Sequence, residues 1–198
     1  QNVKGIKVLD RTLAQSIDRK SKTVTLVHVE TGAQQTLPYD KLVLATGGSP
    51  INLPVEGANL NNVFRLWQAE DALAMNRVLS SGAFRNAVII GGGLIGVEMT
   101  EALNKRGLKV AVVEMLDHIL PGLLDSETAA FLSRYLRSKG VDVLCGEKVI
   151  RFQGDDQGNI KKILTPKREF PADVALISIG VRPNSKLAQD AGLQIGKL

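Results

Sequence analysis

The chain has 198 residues, with 25 Lys and Arg against 20 Asp and Glu and a formal net charge of +5. At about 150 residues per domain this is roughly 1.3 domains, which excludes two full enzyme domains. A composition of 44% hydrophobic and 23% charged residues excludes disordered and fibrous classes. No run approaches the ~18 apolar residues of a membrane span, and the start lacks the regions of a signal peptide. Basic residues are scattered rather than interleaved with aromatics, which argues against nucleic acid as a partner. Cys145 is the single cysteine, so neither an intrachain disulfide nor a paired-cysteine metal site can form, and a reducing, cytoplasmic setting is expected. The chain begins at Gln1, not Met, and is expected to be a piece of something longer.

Ile6 and Val8, Leu13 to Ile17 and Val24 to Val27 form short alternating runs between polar turns, the pattern of a β-meander. Lys41 to Thr46 is almost wholly apolar and predicts a parallel strand covered on both faces, stopping at Gly47, Gly48 and Pro50. Ser49 to Asn62, rich in Pro and Asn, reads as a linker. Gln68 to Ser81 carries Ala72, Met75 and Leu79 at the spacing of one helical face, with Gly82 placed as its cap.

A regular alternation follows. Strands are predicted over Ala87–Ile90, Val110–Glu114 and Val141–Cys145. Between them lie helices over Leu94–Arg106, closed by Gly107, and Asp125–Lys139, closed by Gly140. Asp125 is placed to cap the second of these helices. Lys148 to Leu164 returns to short strands with a hairpin tip at Gly154–Asn159, and Val174 to Ile179 is a last apolar strand before Gly180 and Pro183. Strands and helices at this pace imply parallel βαβ units with right-handed crossovers, hence an α/β fold: a parallel sheet with flanking helices, plus the meander.

Within Val88 to Glu98, Gly91, Gly93 and Gly96 stand at G-x-G-x-x-G spacing between a predicted strand and a predicted helix. The first glycine permits a tight turn, the second lets backbone approach a pyrophosphate, and the third lets the helix pack on the strand. Phosphates would then meet the N–H groups at the helix start near Leu94 and Ile95. Glu114 ends the next strand, 114 − 91 = 23 positions on, where an acid accepts ribose hydroxyls. Gly91, Gly92, Gly93, Leu94, Ile95, Gly96 and Glu114 are therefore the candidate dinucleotide-binding residues. A carboxylate repels a 2′-phosphate, and no Arg stands at 115–117, so NADH is favoured over NADPH. Glu98 reads either as a helix-start acid favoured by the dipole or as a carboxylate near the nicotinamide. Cys145 reads as a small core residue, and His28 and His118 have no partner at a telling spacing. No catalytic set and no metal cluster is visible.

With these residues in view, the chain resembles the pyridine nucleotide-disulfide oxidoreductases, a family of FAD-dependent reductases. KLVLATGGSP looks like the family's A-T-G turn against FAD, here Ala45, Thr46 and Gly47. VIIGGGLIGVE with VAVVE looks like its NAD fingerprint, EMLDHILPGLLD like the loop into the next helix, and ADVALISIGVRPN like the return to the FAD domain. The resemblance implies a Rossmann-like NAD domain over 63–174, with partial FAD-domain strands over 1–62 and 175–198. It places Glu98 towards nicotinamide and flavin, and Gly180 on a turn near the nicotinamide. It further implies a longer, FAD-containing and homodimeric parent that passes hydride from NADH to FAD and on to a disulfide, oxygen or protein acceptor, this piece being inactive alone. The alternative is a non-catalytic NADH-sensing module. The A-T-G and G-V-R-P turns that bracket the fingerprint argue against it, since a sensor needs no parts of a second domain.

Overall fold

The computed structural model describes residues 2–3, 5–82 and 84–196, which divide into two compact units, 1–48 with 183–198 and 49–182. In the first unit, strands β1 (Asn2–Val3) and β2 (Ile6–Lys7) form a hairpin. Strands β3 (Thr12–Asp18), β4 (Thr23–His28) and β5 (Gln34–Pro38) form the expected antiparallel meander. The second unit carries the residues at 49–50 and 181–182 of two short paired strands, β6 (Gly48–Pro50) and β15 (Val181–Pro183). Its remaining elements are β7 (Val63–Phe64), α1 (Ala69–Ser81), β8 (Asn86–Ile90), α2 (Leu94–Asn104), β9 (Lys109–Val113), α3 (Ser126–Ser138), β10 (Val141–Leu144), β11 (Arg151–Gly154), β12 (Ile160–Leu164), β13 (Glu169–Pro171) and β14 (Val174–Ile177). Helix α4 (Lys186–Asp190) belongs to the first unit.

The second unit is built on a five-stranded, wholly parallel sheet in the order β10-β9-β8-β14-β7. Strand β8 shows why the sheet is covered on both faces. Ala87 and Ile89 point into one core with Met75 of α1, Leu103 of α2, and Ala129 and Leu136 of α3. Val88 and Ile90, displaced by the two-residue side-chain period, point into another with Phe152, Ile160 and Ile163 of the antiparallel layer β11-β12-β13. Burying each of the larger side chains contributes about 1.5–3 kcal/mol before chain entropy is counted. The sheet is thus fixed between helices on one side and a β-layer on the other.

Several expectations change. Lys41–Thr46 is not a strand, and Val43 is 86% exposed. An apolar run of this kind encodes a strand with neighbours on both edges and cover on both faces. Among the described residues no strand pairs with it. The compact units divide at 48/49 and 182/183, with β14 between β8 and β7 inside the sheet and Ala58 packed in its second core. Gly82 ends α1 in extended backbone rather than in a left-handed cap, and Ala72 on that helix is exposed while Met75 carries the burial.

Candidate functional site

Strand order reverses between β8 and β14: the chain builds β9 and β10 to one side of β8, and β14 pairs with β8 on the other. Ligands of open parallel sheets bind outside the carboxyl ends of the strands at such a switch point. Gly91 follows β8 there with φ +103°, and a Cβ on it would overlap the backbone carbonyl of Ser178 beyond β14. A Cβ on Gly96 would overlap the carbonyl of Gly91, so α2 packs against the turn through a hydrogen atom alone. Gly93 differs. Its φ is −74°, it is the N-cap of α2, and a Cβ there would meet nothing within 4 Å. That open space, at a helix start whose first N–H groups have no intrahelical partner, fits an approaching pyrophosphate.

Glu114 stands one residue past β9 and is 8% exposed. Its Oε2 accepts from the Gly92 N–H at 2.6 Å and its Oε1 from the Leu116 N–H at 2.8 Å. Each carboxylate oxygen keeps a further lone pair for a ribose hydroxyl. The acid therefore both ties the glycine turn to β9 and faces a cavity of about 540 Å³ whose walls include Gly91, Gly93, Glu114, Met115, Leu120 and Val149. A second cavity of about 260 Å³ is lined by Pro50, Leu66, Trp67, Ile95, Ile177 and Val181. The two share Gly93, Leu94, Ser178 and Gly180. One extended ligand crossing the turn at Gly93 would reach both.

The profile of the family described as "Pyridine nucleotide-disulphide oxidoreductase" matches residues 1–198. The chain belongs to this family. It is similar to an NADH oxidase of Enterococcus faecalis, 36% identical over 176 residues covering 89% of this chain and 39% of that protein. Among solved structures it is similar to an NAD-dependent persulfide reductase from A. fulgidus, at 39% identity and TM-score 0.89, covering 98% of this chain and 36% of that one. It is also similar to a water-forming NADH oxidase from Lactobacillus brevis bound to NADH, at 29% identity and TM-score 0.80, covering 90% and 39%. The chain thus spans about two fifths of the length of these family members.

Against this family site, the dinucleotide candidates Gly91, Gly92, Gly93, Leu94, Ile95, Gly96 and Glu114 gather at the switch point, and Gly180, with φ +103°, lines both cavities. Glu98 departs from expectation. Helix α2 starts at Leu94, so Glu98 lies in its second turn, past the reach of the dipole; it is exposed and lines neither cavity. Ala45, Thr46 and Gly47 belong to the other unit, where Thr46 Oγ1 donates to the Asn184 carbonyl at 2.6 Å and the Asn184 N–H donates to the Gly47 carbonyl at 2.9 Å. Cys145 is half-buried against the helix-side core. Burial first, and then the negative charge of Glu114, push its thiol above the ordinary range.

Sequence reading missed the second cavity. Pro50 lies in what reads as a linker, and Leu66 and Trp67 precede a helix with no motif of their own. Leu120, whose φ of +53° is rare for a branched side chain, donates its N–H to the Gly92 carbonyl at 2.8 Å. No local pattern announces such a residue. Its position depends on a loop folding back across the glycine turn.

Proposed function

We propose that the chain is the NAD(H)-binding part of an FAD-dependent pyridine nucleotide-disulfide oxidoreductase. One observation carries the reading: the cavity beside Glu114 and the cavity beside Trp67 meet at Gly93, the glycine with open space at the start of α2. The adenosine half is assigned to the Glu114 side, where the carboxylate accepts ribose hydroxyls. The pyrophosphate is assigned to the N-terminus of α2, and the nicotinamide to the Trp67 side. When bound, NADH supplies a hydride equivalent, which the whole protein would deliver through FAD to a disulfide, oxygen or a protein acceptor.

The residues of this chain bind and orient. Gly91 lets the turn close on Ser178 beyond β14, Gly96 lets α2 close on that turn, Gly93 leaves the phosphate path clear, and Leu94, Ile95 and Val181 give the nicotinamide half apolar walls. Ala45, Thr46 and Gly47 are assigned to FAD, and Glu98 to the nicotinamide–flavin side, on the family resemblance. The domain roles follow: residues 63–174 hold NAD, and 1–62 and 175–198 belong to the FAD domain of a homodimeric, cytoplasmic parent.

NADH is preferred over NADPH in this reading, because a 2′-phosphate would be set against the Glu114 carboxylate. Calorimetric titration of the chain with each cofactor tests it. NADH is expected to bind more tightly, and Glu114→Ala to weaken NADH more than NADPH. Equal affinities of the unaltered chain for both would count against the assignment.

A further inference from the structure

Glu147 has no role in the binding scheme above, yet its side chain is only 3% exposed. A carboxylate so buried persists as a charge only when paired and hydrogen-bonded. Here Arg168 Nη2 lies 3.0 Å from Oε1, and Thr165 Oγ1 donates to Oε2 at 2.9 Å. Lys167 Nζ, from the same β12–β13 turn, donates to the Gly146 carbonyl at 3.0 Å. Three side chains of one turn therefore fasten the backbone at 146–147.

That backbone in turn holds Glu114. The Glu147 N–H donates to the Glu114 carbonyl at 3.0 Å, and the Gly146 N–H to the Leu116 carbonyl at 2.7 Å. The Leu116 N–H donates to Glu114 Oε1, and the Gly92 N–H to Glu114 Oε2. A continuous set of hydrogen bonds runs from Arg168 and Thr165, through Glu147 and Gly146, to the acid at the cavity and on to the glycine turn. Glu147 and Lys148 also line the same cavity as Glu114.

We propose that Glu147, clamped by Thr165 and Arg168, is a positioning residue that sets the Glu114 carboxylate for ribose and so sets the discrimination between NADH and NADPH. The proposal rests on the dinucleotide reading of this cavity. A clamp that merely supported the β-layer would act on stability and on both cofactors alike. One that acts through Glu114 changes the ratio of the two affinities and has no further effect once Glu114 is gone.

The test is a double-mutant cycle on the chain, with NADH and NADPH affinities measured by calorimetry and folding followed by thermal unfolding. E147L is expected to weaken NADH about tenfold, leave NADPH nearly unchanged, and bring the affinity ratio towards that of E114A. The double variant E114A/E147L is expected to bind NADH no more weakly than E114A alone. If E147L fails to fold, E147Q, which keeps neutral hydrogen bonds to both partners, and R168Q carry the test with a smaller loss of about threefold and the same change of ratio. Equal loss for both cofactors, or full additivity with E114A, overturns the proposal. An unaltered chain that binds neither cofactor overturns instead the reading on which it rests.

Discussion

Gly91 and Gly93 separate folding from binding within three residues. At Gly91 an alanine would carry φ +103° and overlap the Ser178 carbonyl, so two penalties combine. Left-handed backbone costs a residue with a Cβ roughly 1–2 kcal/mol, and overpacking a close approach costs about 1–3 kcal/mol. Gly91→Ala is therefore expected to lose roughly 2–5 kcal/mol, a fall in Tm on the order of 10 °C for a chain of this length. At Gly93 the backbone is open to any residue and a methyl meets nothing within 4 Å. The poorer N-cap and the reduced freedom of the unfolded chain nearly offset one another, leaving stability within about 1 kcal/mol.

The methyl nevertheless stands at the helix start where phosphates approach, and Gly93→Ala is expected to weaken NADH at least about tenfold. Thermal unfolding and calorimetric titration of the two variants side by side measure both effects. If Gly93→Ala bound NADH as the unaltered chain does, the phosphates would not pass over Gly93. If Gly91→Ala kept its Tm, the close approach to Ser178 would not be what requires a glycine there.

Other outcomes follow from the same geometry. Trp67 is the sole tryptophan, 44% exposed on the wall of the second cavity, so NADH is expected to quench indole emission. Trp67→Phe should remove that signal, and calorimetric binding without any change in emission would place the nicotinamide elsewhere. Cys145 should alkylate slowly at neutral pH, because burial disfavours its thiolate, and speed up only above the usual thiol range. Mass spectrometry of the single site reads this directly, and rapid labelling at pH 7 would refute the burial argument. The Asp125 carboxylate, lowered by the N–H of Thr128 that it caps, should support α3 above the ordinary carboxylate range. That support is lost as pH falls through the lowered value. Asp125→Asn, which keeps the cap but not the charge, should flatten this acid limb in a Tm-against-pH series.

The parallel core was legible in the chain because each element is a local pattern. Short unbroken apolar runs marked β8 and β9, glycines and Asp125 marked the ends of helices, and the glycine spacing with Glu114 marked the switch point. Lys41–Thr46 departs from its expected strand for the converse reason. An apolar run records that a strand is to be covered, but cover and pairing come from other segments, and no local signal says whether they are at hand. Helix α2 starts at Leu94 as expected, but Glu98 is its fifth residue, so it falls in the second turn rather than among the helix-start residues.

The sequence alone thus determined the fold class, the glycine turn and the acid that faces it, since spacing along one strand–turn–helix–strand unit dictates them. Only the tertiary structure decided that Glu114 is held from both sides, by Gly92 and Leu116, and that Glu147 lies behind it. It also decided that Pro50 and Trp67 complete a second cavity. Apart from the local Leu116 bond, these are meetings of residues far apart in the chain, and they exist because β14 and the β11–β13 layer pack against β8, where hydrogen bonding and burial across the whole unit choose the neighbours.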